Sequence, residues 1–226
     1  MSDNKTPHMA SVYDEQVSKT IPGYNLFHGQ IIDLVSAYND SPSVWLDTGC
    51  GTGTFVIKAL DQFKDTSFIL TDPSADMLTI AKTKLPGNDR VKFNGSAGSL
   101  ELDLPDESID VITAVMSHHY FDTDARRKAT ENCFRMLKRG GVFITFENIR
   151  PNSEKGAQIG LERWKRFQMA HGKSEESAKI HLERFNAEFF PITLGEHLHL
   201  LRETGFKVCE VLLVSYMQAG FYAVKL

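Results

Sequence analysis

The stretch Val44-Trp45-Leu46-Asp47-Thr48-Gly49-Cys50-Gly51-Thr52-Gly53 constrains this chain more than any other: an apolar strand ends in an acid and opens into a turn with glycine at three alternate positions. Glycine reaches positive φ at little steric cost and has no Cβ to hold a ligand off the main chain. The helix after such a turn offers unpaired N–H groups to polar ligand atoms. The stretch therefore predicts a strand–turn–helix unit of an α/β fold, with a nucleotide-like ligand against bare backbone. Tight strand-on-helix packing is the other use of such glycines. Spacing narrows the choice of ligand. A dinucleotide turn takes G-x-G-x-x-G, whereas position 54 is Thr and Gly53 arrives one residue early. A P-loop takes Gly-Lys-Ser/Thr, and no lysine follows until Lys58.

A second acid supports the nucleotide reading. Phe68-Ile69-Leu70-Thr71-Asp72 reads as a short apolar strand ending in a carboxylate, 21 positions after Gly51, close to where α/β nucleotide folds place a ribose-binding acid. A carboxylate only accepts hydrogen bonds, which suits the two O–H donors of a vicinal diol. Pro73-Ser74-Ala75-Asp76-Met77-Leu78 then starts a helix with proline near its first turn.

Asp47-x-Gly49-x-Gly51-x-Gly53, Asp72 and the Pro73–Leu78 continuation together resemble the first motifs of the class I S-adenosylmethionine (SAM) methyltransferases. The resemblance spans about residues 13–225. It implies a Rossmann-like, doubly wound, seven-stranded, mostly parallel sheet with an antiparallel last strand and a helical lid. It also implies SAM as cofactor, released as S-adenosylhomocysteine. Asp47 and the Gly49-Cys50-Gly51-Thr52-Gly53 turn would hold the amino-acid and ribose portion, with Asp72 and the adjoining Pro73 at the ribose hydroxyls. Asn94-Gly95-Ser96-Ala97 stands where relatives often carry G-D-A, so the Ser96 hydroxyl and Ala97 replace an acid facing the adenine amino group. Ala114 and Val115 fall on the motif that lines the transferred methyl. Lys138-Arg139-Gly140-Gly141 resembles the family's K-P-G-G turn before the fifth strand, with Arg139 for proline.

Composition bounds the rest. The 226 residues with 42% hydrophobic content are enough for one sizeable core, or a core plus a small lid, and predict a single enzyme domain. A net charge of −4 and pI near 6.1 give no global attraction to nucleic acid or an anionic membrane. The polar start and the lack of a long apolar run predict a cytoplasmic protein without membrane association. Cys50, Cys133 and Cys209 lie far apart without C-x-x-C, against a zinc site or disulfide framework; no metal is expected.

Apolar runs and helix-period stretches alternate. Strands are predicted near 43–48, 67–71, 91–94, 109–115 and 140–146, and helices near 54–64, 74–84 and 123–138, the last ending in the cationic Lys138-Arg139 and a glycine stop. The tail predicts a hairpin, 206–214 and 221–224, turning at Gln218-Ala219-Gly220. The domain plan is 1–40 as N-terminal lid helices, 41–149 as SAM-binding core, 150–192 as lid insertion and 193–226 as the C-terminal part of the core sheet. Aromatics at Trp164, Phe167, Phe185, Phe189 and Phe190 mark the insertion, which would stand over the carboxyl ends of the strands.

The pair His118-His119 after the fourth strand supplies candidate general bases, since imidazole titrates near neutrality. Neighbouring positions point different ways, so the two do not chelate one metal, and a structural hydrogen bond is the other use. Glu147 is an alternative base, or else a solvated strand-end carboxylate. A further resemblance runs to the tRNA wobble-uridine carboxymethyltransferases, which use carboxy-SAM: Tyr13–Val17 with Ile21-Pro22-Gly23-Tyr24 is similar to their entry segment. It implies that Tyr24 contacts the cofactor and that Arg184 binds its extra carboxylate, a task suited to the guanidinium fork. Arg184 paired with Glu183 or Glu188 is the other reading. Arg163, Lys165, Arg166 and Lys173 around Trp164 form a local basic run of a kind that can meet unstacked bases, or solvated helix charge. Gly51 and Ala114 depart from the carboxymethyltransferase pattern. The expectation is thus a transferase that moves a methyl from SAM to a small-molecule acceptor, as monomer or homodimer. A carboxy-SAM-dependent tRNA enzyme comes second and a non-catalytic SAM-binding module third.

Overall fold

The computed structural model describes residues 6–226, so the first five residues of the expected 1–40 segment lie outside it. Seven strands form one sheet: β1 (Val44–Thr48), β2 (Ser67–Thr71), β3 (Val91–Phe93), β4 (Ile109–Val115), β5 (Leu137–Asn148), β6 (Val208–Ser215) and β7 (Gln218–Val224). Their order is β3-β2-β1-β4-β5-β7-β6. The first five are parallel, and β7 runs antiparallel to both neighbours. This is the α/β methyltransferase arrangement. Strand order reverses between β1 and β4, the switch point where open α/β sheets leave a crevice beyond their carboxyl ends.

Helices α1 (Tyr13–Thr20), α2 (Tyr24–Tyr38), α3 (Thr54–Gln62), α4 (Ala75–Lys84), α5 (Thr123–Met136), α6 (Glu154–Ala170), α7 (Glu175–Glu183) and α8 (Leu194–Thr204) surround the sheet. Strands buried on both faces carry apolar side chains on both. One face packs Trp45, Val111, Ile144 and Phe146 against α2, α3 and α4. The other packs Leu46, Ile112 and Phe143 against Cys133 and Met136 of α5 and Leu201 of α8. Helix starts carry side-chain caps where the sequence supplies them: Ser74 for α4, Asp122 for α5, Ser153 for α6, Ser174 for α7 and a Thr193/Glu196 capping box for α8. Helix α3 starts at Gly53 with no side-chain cap.

Three expectations are corrected. Helix α5 stops at Met136 and Lys138–Gly141 belong to β5. Ile109 faces Leu137 and Val111 faces Val142, so β5 takes five steps where β4 takes two and bulges. Lys138 Nζ holds the bulge on Asp110 at 2.8 and 2.9 Å, while Asp110 also accepts from the Ser43 and Val44 N–H groups. The hairpin turns at Tyr216-Met217, and Gln218–Gly220 lie inside β7. Gly220 leaves room there for the Phe146 ring, which stands 2.5 Å from where a Cβ would be. Finally, α2 covers the sheet: Phe27, Ile31 and Val35 are buried, and Phe27 stacks on Phe146 at 4.4 Å. Only α1 of the N-terminal helices joins α6 and α7 beside the crevice, with Trp164 Nε1 donating to the Thr20 carbonyl at 2.6 Å.

A core helix and a lid helix differ in what they contribute to stability. Phe27→Ala is expected to lower the unfolding free energy by roughly 3–5 kcal/mol, read as a shift in the urea midpoint at constant slope. An unshifted midpoint would return α2 to the lid.

Candidate functional site

The glycine turn is closed by the strand beside it. Gly49 and Cys50 N–H both donate to the Thr71 carbonyl, at 2.8 and 3.0 Å. Gly51 N–H donates to Asp72 Oδ2 at 2.8 Å, and Ser74 N–H to Asp72 Oδ1 at 2.8 Å. Gly49 and Gly51 have φ of 77° and 54°. A Cβ at Gly49 would sit 2.8 Å from Ser117 Cβ, whereas one at Gly51 would meet nothing within 4 Å. Gly49 is thus required by packing, and Gly51 leaves bare backbone beside open space.

That space is a cavity of about 310 Å³ at the carboxyl ends of β1, β2 and β4. Gly49, Gly51, Asp72, Pro73, Ser96 and Ala97 line it, together with Tyr13, Glu101, Val115, Met116, Ser117 and Tyr120, of which only Val115 was expected. Met116 carries a left-handed φ of 55°, an uncommon backbone state for a side-chain-bearing residue. Nothing in the sequence around Met116 signals it.

Six of the expected site residues line neither this cavity nor the smaller chamber beside it: Tyr24, Asp47, Cys50, Gly53, Ala114 and His118. Asp47 is buried behind the turn and accepts from Thr113 Oγ1 at 2.7 Å, which in turn accepts from Trp45 Nε1 at 3.1 Å. Burial, with a lesser push from Asp72, raises its pKa to about 7 against the pull of Thr113. Tyr24 acts one step back, its hydroxyl paired with that of the cavity-lining Tyr13. Gly53 packs on Ala81 and Leu85 of α4, Cys50 is a buried thiol raised well above its ordinary pKa by desolvation, and Ala114 lies within the β4 core. His118 pairs with Ser99 Oγ at 2.7 Å, and burial lowers its pKa to about 4.

Tyr13, Met116 and Tyr120 also line the chamber of about 30 Å³, along with His8, His119, Asn148, His181 and Arg184. No carboxylate lines the chamber among the described residues. Its room matches a water or a carboxyl group. Arg184 sits between Glu188, which accepts from Nε at 2.7 Å, and the Tyr120 hydroxyl. Glu147 is fully buried within β5, not solvated, and accepts from the N–H groups of His118 and His119 at 3.3 and 2.7 Å. Its Oε2 lies 3.0 Å from His119 Nδ1. Since a carboxylate only accepts, Nδ1 carries a proton, which leaves Nε2 as the ring's other nitrogen, facing away from Glu147. Burial pushes the Glu147 pKa up, but the hydrogen bond from His119 and the nearby imidazoles of His119, His118 and His197 together outweigh it and hold it at about 2.

The basic run does not form an open platform. Trp164 is buried against His181 and Phe189. Lys165 and Arg166 pair with Glu175 and Glu162, Arg163 lies over the Tyr216 ring, and Lys173 donates to Gln16. Helical periodicity had placed these cations around Trp164 without showing that the indole turns inward. Among the described residues, no group of three or more His, Cys, Asp or Glu could hold a metal ion, and no helix is long and apolar enough to cross a membrane.

Comparison with known proteins agrees with this architecture. Residues 46–141 match the family model of a methyltransferase domain. The chain is 24% identical over 206 residues to the carboxy-S-adenosyl-L-methionine synthase of Campylobacter lari, covering 90% of this chain and 86% of that one. It is 26% identical over 218 residues to the synthase of the same name from Nautilia profundicola, covering 96% and 92%. The fold superposes on an O-methyltransferase family 2 protein from Planctomyces limnophilus with a TM-score of 0.66 at 16% identity, over 98% of this chain and 62% of that one.

The two buried acids affect stability in opposite ways. Asp47 has a raised pKa, so the folded state holds a proton that the unfolded state has lost, and its contribution falls as pH rises from about 4 through about 7. Glu147 has a lowered pKa, so its contribution is present above its ordinary value of 4.5 and is lost as pH falls toward 2. Unfolding free energies across pH 4–8 should therefore show Asp47→Asn gaining on the wild type as pH rises. Glu147→Gln should lose most above pH 5.

Proposed function

We propose that this chain, whose residues 46–141 match the model of a methyltransferase domain, is a SAM-dependent transferase acting on a small carboxylate, with SAM in the 310 Å³ cavity and the carboxylate at Arg184. The observation that carries the reading is the chamber that shares Tyr13, Met116 and Tyr120 with the cavity wall and is lined by a guanidinium and three imidazoles and by no described acid. The cavity residues fit the nucleoside. Gly51 leaves backbone open where a Cβ would intrude, and Asp72 is oriented by two N–H donors with its carboxylate at the cavity wall. SAM supplies a methyl on a sulfonium, a donor whose displacement gains most from alignment and exclusion of water.

The chain's own groups divide the remaining work. Arg184 offers a fork to a carboxylate, and its contacts with Glu188 and Tyr120 restrict its position. His119, oriented by Glu147, presents Nε2 as the group that receives a proton from the acceptor. His118 serves to hold the Ser99 loop. Tyr13 and Tyr120 separate the two spaces and keep water from the transfer point.

A second reading, formation of carboxy-SAM, is favoured by the names of the curated relatives and by Arg184 on the chamber. There a carboxylate co-substrate would break its bond to the carboxyl carbon and pass that group to the SAM methyl carbon, the proton displaced from the methyl going to the electron pair left on the donor, and Arg184 would meet the same charge. The intact Gly49–Gly53 turn and Ala114 favour plain methyl transfer. Burial of Trp164 removes the feature that favoured tRNA.

Calorimetry with SAM and S-adenosylhomocysteine tests the cavity: Asp72→Asn should weaken binding by about 1.5–3 kcal/mol, roughly ten- to a hundredfold. Failure of the wild type to bind either compound would remove the proposal. Mass spectrometry of SAM incubated with the protein and a panel of small hydroxy and amino carboxylic acids separates the readings, through a methylated acid in one case and carboxy-SAM in the other. Arg184→Ala should abolish either product while SAM binding persists. His119→Asn should lower methyl transfer by about 10²–10⁴-fold with little change in SAM affinity.

A further inference from the structure

The resemblance places an acid facing adenine where this chain has Ser96, and a second carboxylate stands nearby. Of the described residues that line the 310 Å³ cavity, only Asp72 and Glu101 carry carboxylates, and Asp72 is committed to the glycine-turn end by Gly51 and Ser74. Glu101 closes a tight loop on itself. Its N–H donates to the Gly98 carbonyl at 3.1 Å, and its Oε2 accepts from Gly98 N–H at 3.1 Å. Oε1 has no protein partner among the described residues. The position of a Cβ on Gly98 would lie 3.1 Å from Glu101 Oε2, 3.4 Å from Pro73 Cγ and 3.9 Å from Phe121 Cζ, so a carboxylate, a proline ring and a phenyl edge meet at one point of the wall.

The loop is anchored from behind. Asn132 of α5 donates from Nδ2 to the carbonyls of Ser99 and Leu102, both at 2.8 Å, and His118 Nε2 holds Ser99 Oγ. This rigid backing orients the carboxylate before any ligand arrives, which reduces the ordering cost of binding.

We infer that Glu101 is the nucleobase-reading residue of this chain, its Oε1 accepting from the exocyclic amino group of adenine between the Pro73 and Phe121 surfaces. The inference rests on the proposal that SAM occupies the cavity. A serine hydroxyl both donates and accepts, so Ser96 tolerates an amino or an oxo group equally. A carboxylate accepts only, so Glu101 selects the amino group.

Calorimetry with S-adenosylhomocysteine and S-inosylhomocysteine, in which an oxo group replaces the amino group, tests this on the full chain. The wild type should prefer the adenine compound at least tenfold. Glu101→Gln, whose amide can donate to an oxo group, should narrow or reverse the preference, and Glu101→Ala should narrow it. Ser96→Ala should leave it in place. Preference unchanged in both Glu101 variants, or lost in Ser96→Ala, overturns the assignment while leaving SAM binding intact. No binding of S-adenosylhomocysteine by the wild type overturns the assignment together with the proposal beneath it. Glu101 is solvent-exposed, so unchanged thermal midpoints verify that the variants are folded.

Discussion

The glycine turn between β1 and α3 keeps its shape because β2 holds it from the side. The Thr71 carbonyl takes two of its N–H groups, and Asp72 takes a third while also fixing the start of α4 through Ser74. These few bonds set the distance between two strand ends and orient two helices around one crevice. A buried or half-buried carboxylate with two backbone donors is a strong and directional link.

A second polar centre organises the opposite wall. Glu147 in β5 binds the backbone of His118 and His119, and His119 in turn accepts the Phe190 N–H through its carbonyl at 2.7 Å. Arg126 donates to the carbonyls of His118 and Phe190. These bonds tie the strand, the short helix after β4 and the insertion loop together. Burying the Glu147 carboxylate is tolerable because it accepts from the N–H groups of His118 and His119 and from the His119 ring. The same unit places His119 and Arg184 on one chamber although 65 positions separate them in the chain.

Much of the fold was legible because parallel strands covered on both faces leave uninterrupted apolar runs, and β1, β2 and β4 fall where those runs lie. Errors arose where local pattern and tertiary demand part. Lys138-Arg139 suits a helix terminus by charge, but its lysine is claimed by Asp110 one strand away. Gln218-Ala219-Gly220 has turn composition, but Gly220 is needed in mid-strand to admit Phe146. Ile31 and Val35 show helical period equally well for a lid or a core helix, and only the partner surface separates the two.

The sequence by itself determined the strand–turn–helix unit at residues 44–62, the acid at 72 and the alternation that makes a doubly wound sheet, because these depend on local backbone freedom and on periodicity. Tertiary structure alone decided which side chains face the crevice. Tyr13, Glu101 and the pair Met116 and Tyr120 reach it from three separate segments, whereas Asp47 and His118, adjacent in sequence to lining residues, point into the protein. Direction at the end of a strand depends on what packs behind it. That is a property of distant contacts, and no local pattern encodes it.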